Sequence, residues 1–420
     1  MKKAILVGLN IDNNEFFEEE MKELKGLAKA DDYKVVSSLT QNSKSINKKF
    51  FIGNGKVETL KLLVNEYEAD VVIFNDELSP LQYKNLEDEL NITILDRTSL
   101  IIEIFKNRAK TKEAKLQVEV ARLKYLLPRI NNNEANYEQQ AGGSFKNKGS
   151  GEKQSDIDKK NIRNKINQIE AELDKIALKK SVDSKKRIKS DIPLVSIVGY
   201  TNAGKSTLLN AFIEEYDSYN KKNVVSKDML FATLDTTTRH IKFKDNKEIL
   251  LSDTVGFINK LPHDLIRAFK STLQDALNAS LILLVADISS NEVLNQIEVT
   301  LDTLDSIGLR NDVPIIYVFN KADKIGLATI PTDENKVFIS AKNRLNLYLI
   351  EKEIKKALFS DWKVCKMFIP YENTNILSYL KDKANVIKQK NCNEGIMVEV
   401  EVSPKDYNNL NDYIWVDNKN

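Results

Sequence analysis

Short apolar runs and amphipathic segments alternate over the first 105 residues of the chain. The runs that predict strands are Ala4–Val7, Val35–Leu39, Val71–Phe74 and Ile92–Leu95. Between them, apolar residues recur at largely helical spacing from Phe16 to Leu27, and Ser79-Pro80 is a helix-start signal. This alternation predicts a parallel-sheet α/β domain over residues 1–105. Gly53-Asn54-Gly55-Lys56 lacks the spacing of a phosphate-binding loop, and it predicts a glycine turn into a helix.

From Phe105 the apolar residues follow a spacing of four and three, which predicts one long helix that ends at Pro128. A second stripe with the same spacing runs from Ile162 to Ile176, and it predicts an antiparallel partner helix. Residues 106–189 are therefore expected to form a helical hairpin. Its tip is a polar stretch from Asn131 to Ser155, which is long for a loop without a function.

The predicted hairpin is strongly basic. Residues 110–189 contain 20 Lys and Arg against 11 Asp and Glu, a net charge of +9 in a chain whose total is +2. The tip loop carries Lys146, Lys148 and Lys153. Concentrated positive charge favours a polyanionic partner such as RNA, although helices with solvated charges are the common alternative.

Two more domains are expected after the hairpin. Lys185 to Lys189 is interpreted as a polar linker, and a third domain is predicted over residues 190–360. After residue 360, the pattern predicts a strand, a helix and a second strand, at Val364–Ile369, Asn375–Ala384 and Ile396–Val402. These elements predict a small α+β domain over residues 361–420. The fold class is therefore multidomain α/β.

Composition excludes several classes of protein. A chain of 420 residues with 42% hydrophobic and 30% charged residues is typical of a multidomain globular protein. Two Cys and two His are too few for a disulfide framework, and they make a metal cage an unfavourable interpretation. The longest apolar stretch, Leu281–Ala286, is far shorter than the ~18 residues that span a bilayer. We expect a cytoplasmic protein without a membrane anchor, monomeric when free.

A phosphate-binding motif follows the predicted strand Leu194–Val198 and precedes a predicted helix. The residues that fit the pattern GxxxxGK[ST] are Gly199, Tyr200, Thr201, Asn202, Ala203, Gly204, Lys205 and Ser206. The glycines allow backbone N–H groups to surround the phosphates, and Lys205 is expected to reach the β and γ oxygens. The Ser206 hydroxyl is expected to ligate Mg²⁺.

A second motif, Asp253-Thr254-Val255-Gly256, follows the apolar strand Ile249–Leu251. Asp253 is expected to hold Mg²⁺ directly or through a water, and the Gly256 N–H is expected to contact the γ-phosphate. This motif alone means little, because a strand followed by Asp is common. It gains weight from its place about 50 residues after the phosphate loop and from the strand before it.

Asn320-Lys321-Ala322-Asp323 ends the predicted strand Ile315–Phe319 and indicates guanine. The Asp323 carboxylate can accept hydrogen bonds from guanine N1–H and the 2-amino group, which adenine does not present together. Asn320 is expected to support the base and its loop, and the stem of Lys321 can cover a face of the ring.

The last motif, Ser340-Ala341-Lys342, follows the predicted strand Val337–Ile339 and offers the Ala341 N–H to guanine O6. All four motifs lie at the carboxyl ends of predicted strands, where open α/β sheets bind ligands. The sequence therefore predicts a GTP site between Gly199 and Lys342.

A hydroxyl-rich loop between the first two motifs is the expected switch segment. It begins with Phe231, Ala232, Thr233, Leu234 and Asp235. A threonine in such a loop can close over Mg²⁺ and be released after hydrolysis. We assign this role to Thr233, while Thr236 to Thr238 stay open as rivals, because loop threonines are often only turn residues.

The usual water-orienting glutamine is missing. Ras-like GTPases carry it directly after the second motif, where this chain has Phe257. Hydrolysis by the chain alone is therefore expected to be slow, and a partner, a backbone group or a bound cation must supply the missing stabilisation. Asn202 is a candidate ligand for K⁺, as in potassium-activated GTPases, and a loop-stabilising role is the alternative. The expected catalytic residues are Asn202, Lys205, Thr233 and Gly256, with Ser206 and Thr233 as metal ligands.

Further motifs lie outside the nucleotide site. They are FIGNGKVE at 51–58, DELSP at 76–80, DRT at 96–98, KLQVE at 115–119, YLLPR at 125–129 and IPY at 369–371. Together with GYTNAGKS, FATLD and DTVGF, they make the chain resemble the HflX family of ribosome-associated GTPases, in its bacterial form, over most of its length. Two departures are Thr236, where the family has Pro, and Gly149-Ser150-Gly151-Glu152-Lys153, where it has Gly-Pro-Gly-Glu-Thr.

The resemblance implies a GTPase that binds the large ribosomal subunit with its N-terminal and hairpin parts near ribosomal RNA. It also implies a role in dissociating stalled or stress-arrested ribosomes. Two other functions stay open from sequence alone. One is an assembly protein that uses bound GTP structurally, which Phe257 favours. The other is a GTPase that regulates a tRNA-modifying or membrane partner.

Overall fold

The protein is described by a computed structural model that covers ten stretches of the chain. These are residues 1–133, 150–188, 192–216, 231, 237–254, 256–260, 262, 265, 274–326 and 335–415. The chain forms two compact units. The first contains Met1–Ser184, Lys227–Asp235 and Val255–Leu273, and the second contains Lys185–Ser226, Thr236–Thr254 and Gln274–Asn420. Over the described stretches, no helix has both the length and the apolar character that a membrane span requires.

The first unit begins with a four-stranded parallel sheet in the order β2-β1-β3-β4. Strands and helices alternate as β1 Lys3–Ile11, α1 Phe17–Ala30, β2 Lys34–Ser43, α2 Asn54–Tyr67, β3 Val71–Phe74, α3 Pro80–Leu90, β4 Thr93–Leu95 and α4 Arg97–Arg108. All four residues of β3 are buried, as expected of a parallel strand covered on both faces. The predicted N-terminal α/β domain is confirmed.

Capping and turn residues mark where helices of this domain begin. Ser79 caps α3 by accepting a hydrogen bond from the Gln82 N–H, and the Gln82 side chain bonds back to the Ser79 N–H. Gly53 precedes α2, and its N–H donates to Gln41 Oε1 at 3.0 Å. The glycine motif at 53–56 is therefore the predicted turn into a helix.

The single long helix predicted from Phe105 is wrong. α4 ends at Arg108, Ala109 is extended, and Thr111 caps a new helix, α5 (Lys112–Leu126), by accepting from the Ala114 N–H. The apolar spacing continues across this break because apolar residues at this spacing are buried in both helices. The capping residue Thr111 was the local signal that marked the start of a second helix.

The second helix of the hairpin, α6 (Ser150–Ile188), extends beyond both predicted limits. It begins inside the predicted tip loop and continues through most of the predicted linker at 185–189, because Lys, Arg and Ser are compatible with a helix. Lys153 lies in α6, and Lys146 and Lys148 lie outside the described residues. Val120 and Leu123 of α5 pack against Ile166 and Ile169 of α6, which confirms the packing of two helices.

The second unit contains a six-stranded sheet in the order β10-β9-β8-β5-β7-β6, in which only the β6–β7 pair is antiparallel. Its elements are β5 Leu194–Gly199, α7 Lys205–Tyr216, β6 Thr237–Lys242, β7 Glu248–Asp253, α8 Gln274–Leu277, β8 Leu281–Asp287, α9 Val293–Ile307, β9 Ile315–Asn320, β10 Lys336–Phe338 and α10 Leu347–Leu358. The four sequence motifs follow the carboxyl ends of β5, β7, β9 and β10, as predicted.

A small antiparallel sheet in the order β11-β13-β12 ends the chain. Its elements are β11 Lys363–Pro370, α11 Thr374–Lys383, β12 Asn385–Asn391, β13 Gly395–Val402 and α12 Pro404–Asn409. Short 3₁₀ helices lie at Leu127–Asn133, Ala322–Ile325, Tyr371–Asn373 and Asn411–Tyr413. The sequence did not predict β12, because this edge strand is mostly exposed and polar.

Candidate functional site

The phosphate-binding motif forms a tight turn from β5 into α7. Gly199 has φ of +147° and Gly204 has φ of +95°. A Cβ added to Gly199 would overlap the Val285 carbonyl oxygen, and one added to Gly204 would overlap the Asn320 side-chain nitrogen. Only glycine fits at these positions, so the backbone can approach a bound phosphate closely at the start of a helix.

Lys205 is buried inside this turn, with 7% of its surface exposed. Its Nζ donates to the carbonyl oxygens of Gly199 at 3.0 Å and Tyr200 at 2.9 Å. Burial lowers the pKa of Lys205 to about 8, although the charge of Asp253 opposes this shift. At neutral pH the group is therefore largely a cation, and phosphate oxygens would be stronger acceptors than the two carbonyls.

Two of the three residues that the sequence places at Mg²⁺, Ser206 and Asp253, lie together. Ser206 Oγ donates to Asp253 Oδ2 at 2.6 Å, and Asp253 is fully buried. Thr254 Oγ1 donates to the Ile197 carbonyl at 2.8 Å, which fixes the second motif against β5. A hydroxyl and a carboxylate are oxygen ligands of the kind that Mg²⁺ prefers, so the donor set fits this ion.

Asn320 joins three motifs through its side chain. Its Nδ2 donates to the Ala203 carbonyl at 2.8 Å, and its Oδ1 accepts from the Ala341 N–H at 3.0 Å. Only 3% of Asn320 is exposed. The supporting role predicted for Asn320 thus has a physical basis. Because the Ala341 N–H donates to Asn320 in this structure, its bond to guanine O6 stays a prediction.

Sequence reasoning missed Asp287, at the carboxyl end of β8. Its Oδ2 accepts from Lys321 Nζ at 2.6 Å, and Lys321 has φ of +63°. Burial acts to raise the pKa of Asp287, but the hydrogen bonds from Lys321 and Ser289 outweigh it and lower the pKa. Asp287 therefore fixes the lysine whose stem was predicted to cover the base. Its place at a strand end was the signal that could have found it.

The other residues assigned to the base and cation belong to the second unit and differ in exposure. Asp323 lies in the 3₁₀ turn Ala322–Ile325 and is exposed, as is Lys342. Ser340 is buried, and its Oγ accepts from the Asn343 N–H at 3.2 Å. Asn202 is exposed with φ of +62°, a left-handed conformation that asparagine tolerates well. Exposed carboxylate and amide groups of this kind can meet a ligand from solvent.

The predicted switch segment is described only in part. Ala232, Thr233, Leu234, Asp235, Thr236 and Val255 lie outside the described residues. Thr237 and Thr238, two rivals of Thr233, belong to β6. Thr238 Oγ1 lies 3.4 Å from both Ser252 Oγ and Asp275 Oδ2, so its hydroxyl is used within the sheet. These contacts occupy the Thr238 hydroxyl, so Thr233 stays our choice, with Thr236 and Thr237 as rivals.

The predicted switch segment, which begins at Phe231, is the first switch region, and we call Gly256 to Lys260, at the end of the second motif and after it, the second switch region. Described residues of both regions belong to the first unit. Phe231 is buried and packs edge-to-face on Phe105 of α4, with ring centroids 4.6 Å apart. Gly256 and Phe257 are also buried, and 2% of Phe257 is exposed. A buried phenyl ring cannot orient water, which agrees with the expectation of slow unaided hydrolysis.

Three family models match consecutive parts of the chain. Residues 18–106 match the family described as GTP-binding GTPase N-terminal, and residues 108–187 match the GTP-binding GTPase middle region. Residues 194–321 match the family described as 50S ribosome-binding GTPase. The matched regions contain the glycine motif, the hairpin motifs, the first two nucleotide motifs and the first two residues of the third, Asn320 and Lys321.

Curated relatives align over nearly the whole chain. It is 42% identical to GTPase HflX of Caldanaerobacter subterraneus subsp. tengcongensis over 414 residues, which cover 98% of this chain and 94% of the relative. It is 37% identical to GTPase HflX of Alkalihalophilus pseudofirmus, with 93% and 90% covered. For GTPase HflX of Escherichia coli K12, the identity is 38%, with 81% and 79% covered.

Proposed function

The chain belongs to the HflX family of GTPases, and on this premise we propose that it is a GTP-driven switch acting on the large ribosomal subunit. In this role it binds the subunit and its RNA and helps to dissociate stalled or stress-arrested ribosomes. The observation that carries the proposal is the match of residues 194–321 to a family of 50S ribosome-binding GTPases. The net charge of +9 over residues 110–189 supports an RNA partner, since basic side chains bind phosphates.

At the nucleotide, Lys205 would leave its two carbonyl partners and bind the β and γ oxygens of GTP. Ser206, Asp253 and Thr233 would hold Mg²⁺, either directly or through water. When bound, Mg²⁺ neutralises the charge that develops on the phosphate oxygens. The Gly256 N–H would bind the γ-phosphate, and release of this bond after hydrolysis would free the switch.

Slow unaided hydrolysis follows from the side chains of the site. Because Phe257 is apolar and buried, the water must be oriented by another group. We assign this activation to the large ribosomal subunit. The same residue favours one competing function, an assembly protein that holds GTP without turnover. Phosphate release distinguishes the two, because a structural GTP binder would hydrolyse GTP at the same rate with and without subunits.

Potassium is the second source of stabilisation that we propose. Asn202 is an exposed residue of the phosphate loop and offers an amide oxygen as a ligand for a monovalent cation. Replacing K⁺ by Na⁺ is expected to slow GTP hydrolysis by the wild-type protein several-fold, about 1 kcal/mol in the barrier. It should hardly affect Asn202→Ala. The measurement is phosphate release in matched KCl and NaCl buffers, and equal slowing of both proteins would exclude Asn202 as the ligand.

A further inference from the structure

The backbone just after the DTVGF motif is bound by a buried arginine of the N-terminal domain. Arg97, at the start of α4, is 1% exposed. Its Nε and one terminal nitrogen donate to the Asn259 carbonyl at 3.3 and 3.2 Å. The other terminal nitrogen donates to Asn75 at 2.9 Å, and Glu23 pairs with the guanidinium. Buried charge pairs of this kind hold one geometry, because a displaced charge would lose its partners without regaining water.

The next residue, Lys260, makes a second attachment to the same domain. Its Nζ donates to Glu20 Oε2 and to Asp76 Oδ1, both at 2.7 Å. Burial acts to lower the pKa of Lys260, but the two carboxylates outweigh it and raise the pKa, so the ammonium stays charged. Lys260 also has φ of +55°, a conformation that non-glycine residues rarely adopt. The ion pairs offset the cost of this backbone geometry.

One helix contacts both switch regions. α4 begins with Arg97, which binds the Asn259 carbonyl, and contains Phe105, which packs on Phe231. The start of α4 is in turn fixed to the base of the hairpin. Asp96 caps the helix, and its carboxylate accepts from the Leu78 N–H at 3.1 Å and lies 3.4 Å from Arg129. Asp96 and Arg97 are adjacent in the chain, so their hydrogen bonds connect the hairpin base to residue 259 through one peptide bond.

The segment that binds these groups is short and close to the γ-phosphate ligand. Asn259 is three residues after Gly256, whose N–H is expected to bind the γ-phosphate only in the GTP state. Hydrogen bonds weaken steeply as their angle departs from linear, so a displacement of Gly256 that reached Asn259 would weaken its bonds to Arg97. Formation or loss of the phosphate bond should therefore pull on Asn259 and Lys260.

We propose that the contacts of Asn259 and Lys260 with Arg97, Glu20 and Asp76 couple the nucleotide site to the N-terminal domain. The GTP and GDP states then present different N-terminal surfaces to the partner. This coupling deepens the proposed function and rests on it for the identity of the partner. By linkage it acts in both directions, so a partner that fixes the N-terminal domain also biases the nucleotide site.

The test is hydrogen–deuterium exchange of α4 and of residues 74–80 with GDP or a non-hydrolysable GTP analogue bound. We expect exchange in these segments to differ at least about threefold between the two nucleotides in the wild-type protein. Lys260→Glu should abolish this difference, because it places a third carboxylate beside Glu20 and Asp76. Adding Asp76→Lys to that variant reverses the pair and should restore the difference.

Lys61→Glu is the matched control, since Lys61 pairs with Glu89 on the same domain at 2.9 Å, away from the contacts of Asn259 and Lys260 with Arg97, Glu20 and Asp76. It should keep the wild-type difference. The coupling is contradicted if wild-type exchange is the same with both nucleotides, if Lys260→Glu keeps the difference, or if the reversed pair fails to restore it. Because no ribosomal subunits are present, the result does not depend on whether the partner is the large ribosomal subunit.

Discussion

Replacing Lys205 by alanine is expected to weaken binding of GTP and GDP at least about a hundredfold. Lys205 is a buried cation whose Nζ donates to two backbone carbonyls, so it is placed to exchange them for phosphate oxygens. Removing one partner of a buried charge pair costs about 3–5 kcal/mol, and every 1.4 kcal/mol is a tenfold change in affinity. Titration with a fluorescent guanine nucleotide measures the loss directly.

Lys247→Ala is the matched control for this substitution. Lys247 is 6% exposed, close to the 7% of Lys205, and pairs with Glu401 at 2.8 Å, outside the nucleotide motifs. It should lower the free energy of unfolding, as expected for a buried lysine, yet keep nucleotide affinity. The role assigned to Lys205 would be wrong if the two variants lost affinity to the same extent.

Replacing Asp323 by asparagine is expected to change the preferred base from guanine to xanthine. An asparagine can accept from xanthine N1–H and donate to its 2-oxo group, whereas it meets the guanine 2-amino group with a second donor. A buried donor left without its acceptor costs about 1–3 kcal/mol, and more when the acceptor was charged. Affinity for GTP should fall at least about a hundredfold, and xanthosine triphosphate should bind more tightly than GTP.

Competition between the two triphosphates for one fluorescent nucleotide measures this preference. Asp287→Asn removes the same charge from a neighbouring strand end, but Asp287 holds Lys321 rather than the edge of the base. We expect that control to weaken both triphosphates alike without reversing their order. An Asp323→Asn protein that still prefers GTP would overturn the assignment of guanine.

The nucleotide motifs could be predicted from sequence because each follows a short apolar strand. In a parallel sheet the carboxyl ends of neighbouring strands meet at one edge, so the order of strands and motifs predicts proximity. The contact between Ser206 and Asp253 and the bridge made by Asn320 confirm this proximity. Whether these residues hold GTP and Mg²⁺ stays a prediction.

The break between α4 and α5 and the extent of α6 could not be predicted from apolar spacing. A stripe of buried residues shows which face of a helix packs, but it does not show whether one helix continues or two helices follow each other. Only the capping hydrogen bond that Thr111 accepts from the Ala114 N–H shows that a second helix begins here. The continuation of α6 beyond residue 185 was likewise missed, because the charged residues there are compatible with both a helix and a polar linker.

The contacts of Arg97 and Lys260 were beyond sequence reasoning for another reason. Arg97 and Asn259 are separated by 162 positions in the chain, and Glu20 and Lys260 by 240. No local sequence pattern predicts contacts over such separations. The DRT and YLLPR motifs contributed to the resemblance to the HflX family, but no physical role for them followed from the sequence. In the structure, Asp96 and Arg129 of these motifs join the N-terminal domain to the hairpin base, and Arg129 stacks on Tyr125 at 3.5 Å.

Phosphate release from GTP with and without purified large ribosomal subunits, in potassium buffer, tests the central claim most directly. We predict that the subunits raise the rate at least about tenfold, since groups supplied by a partner contribute far more in other GTPases. Lys205→Ala should show no stimulation at the same nucleotide concentration. Equal rates with and without subunits would contradict a ribosome-activated switch and would favour a protein that holds GTP for structural reasons.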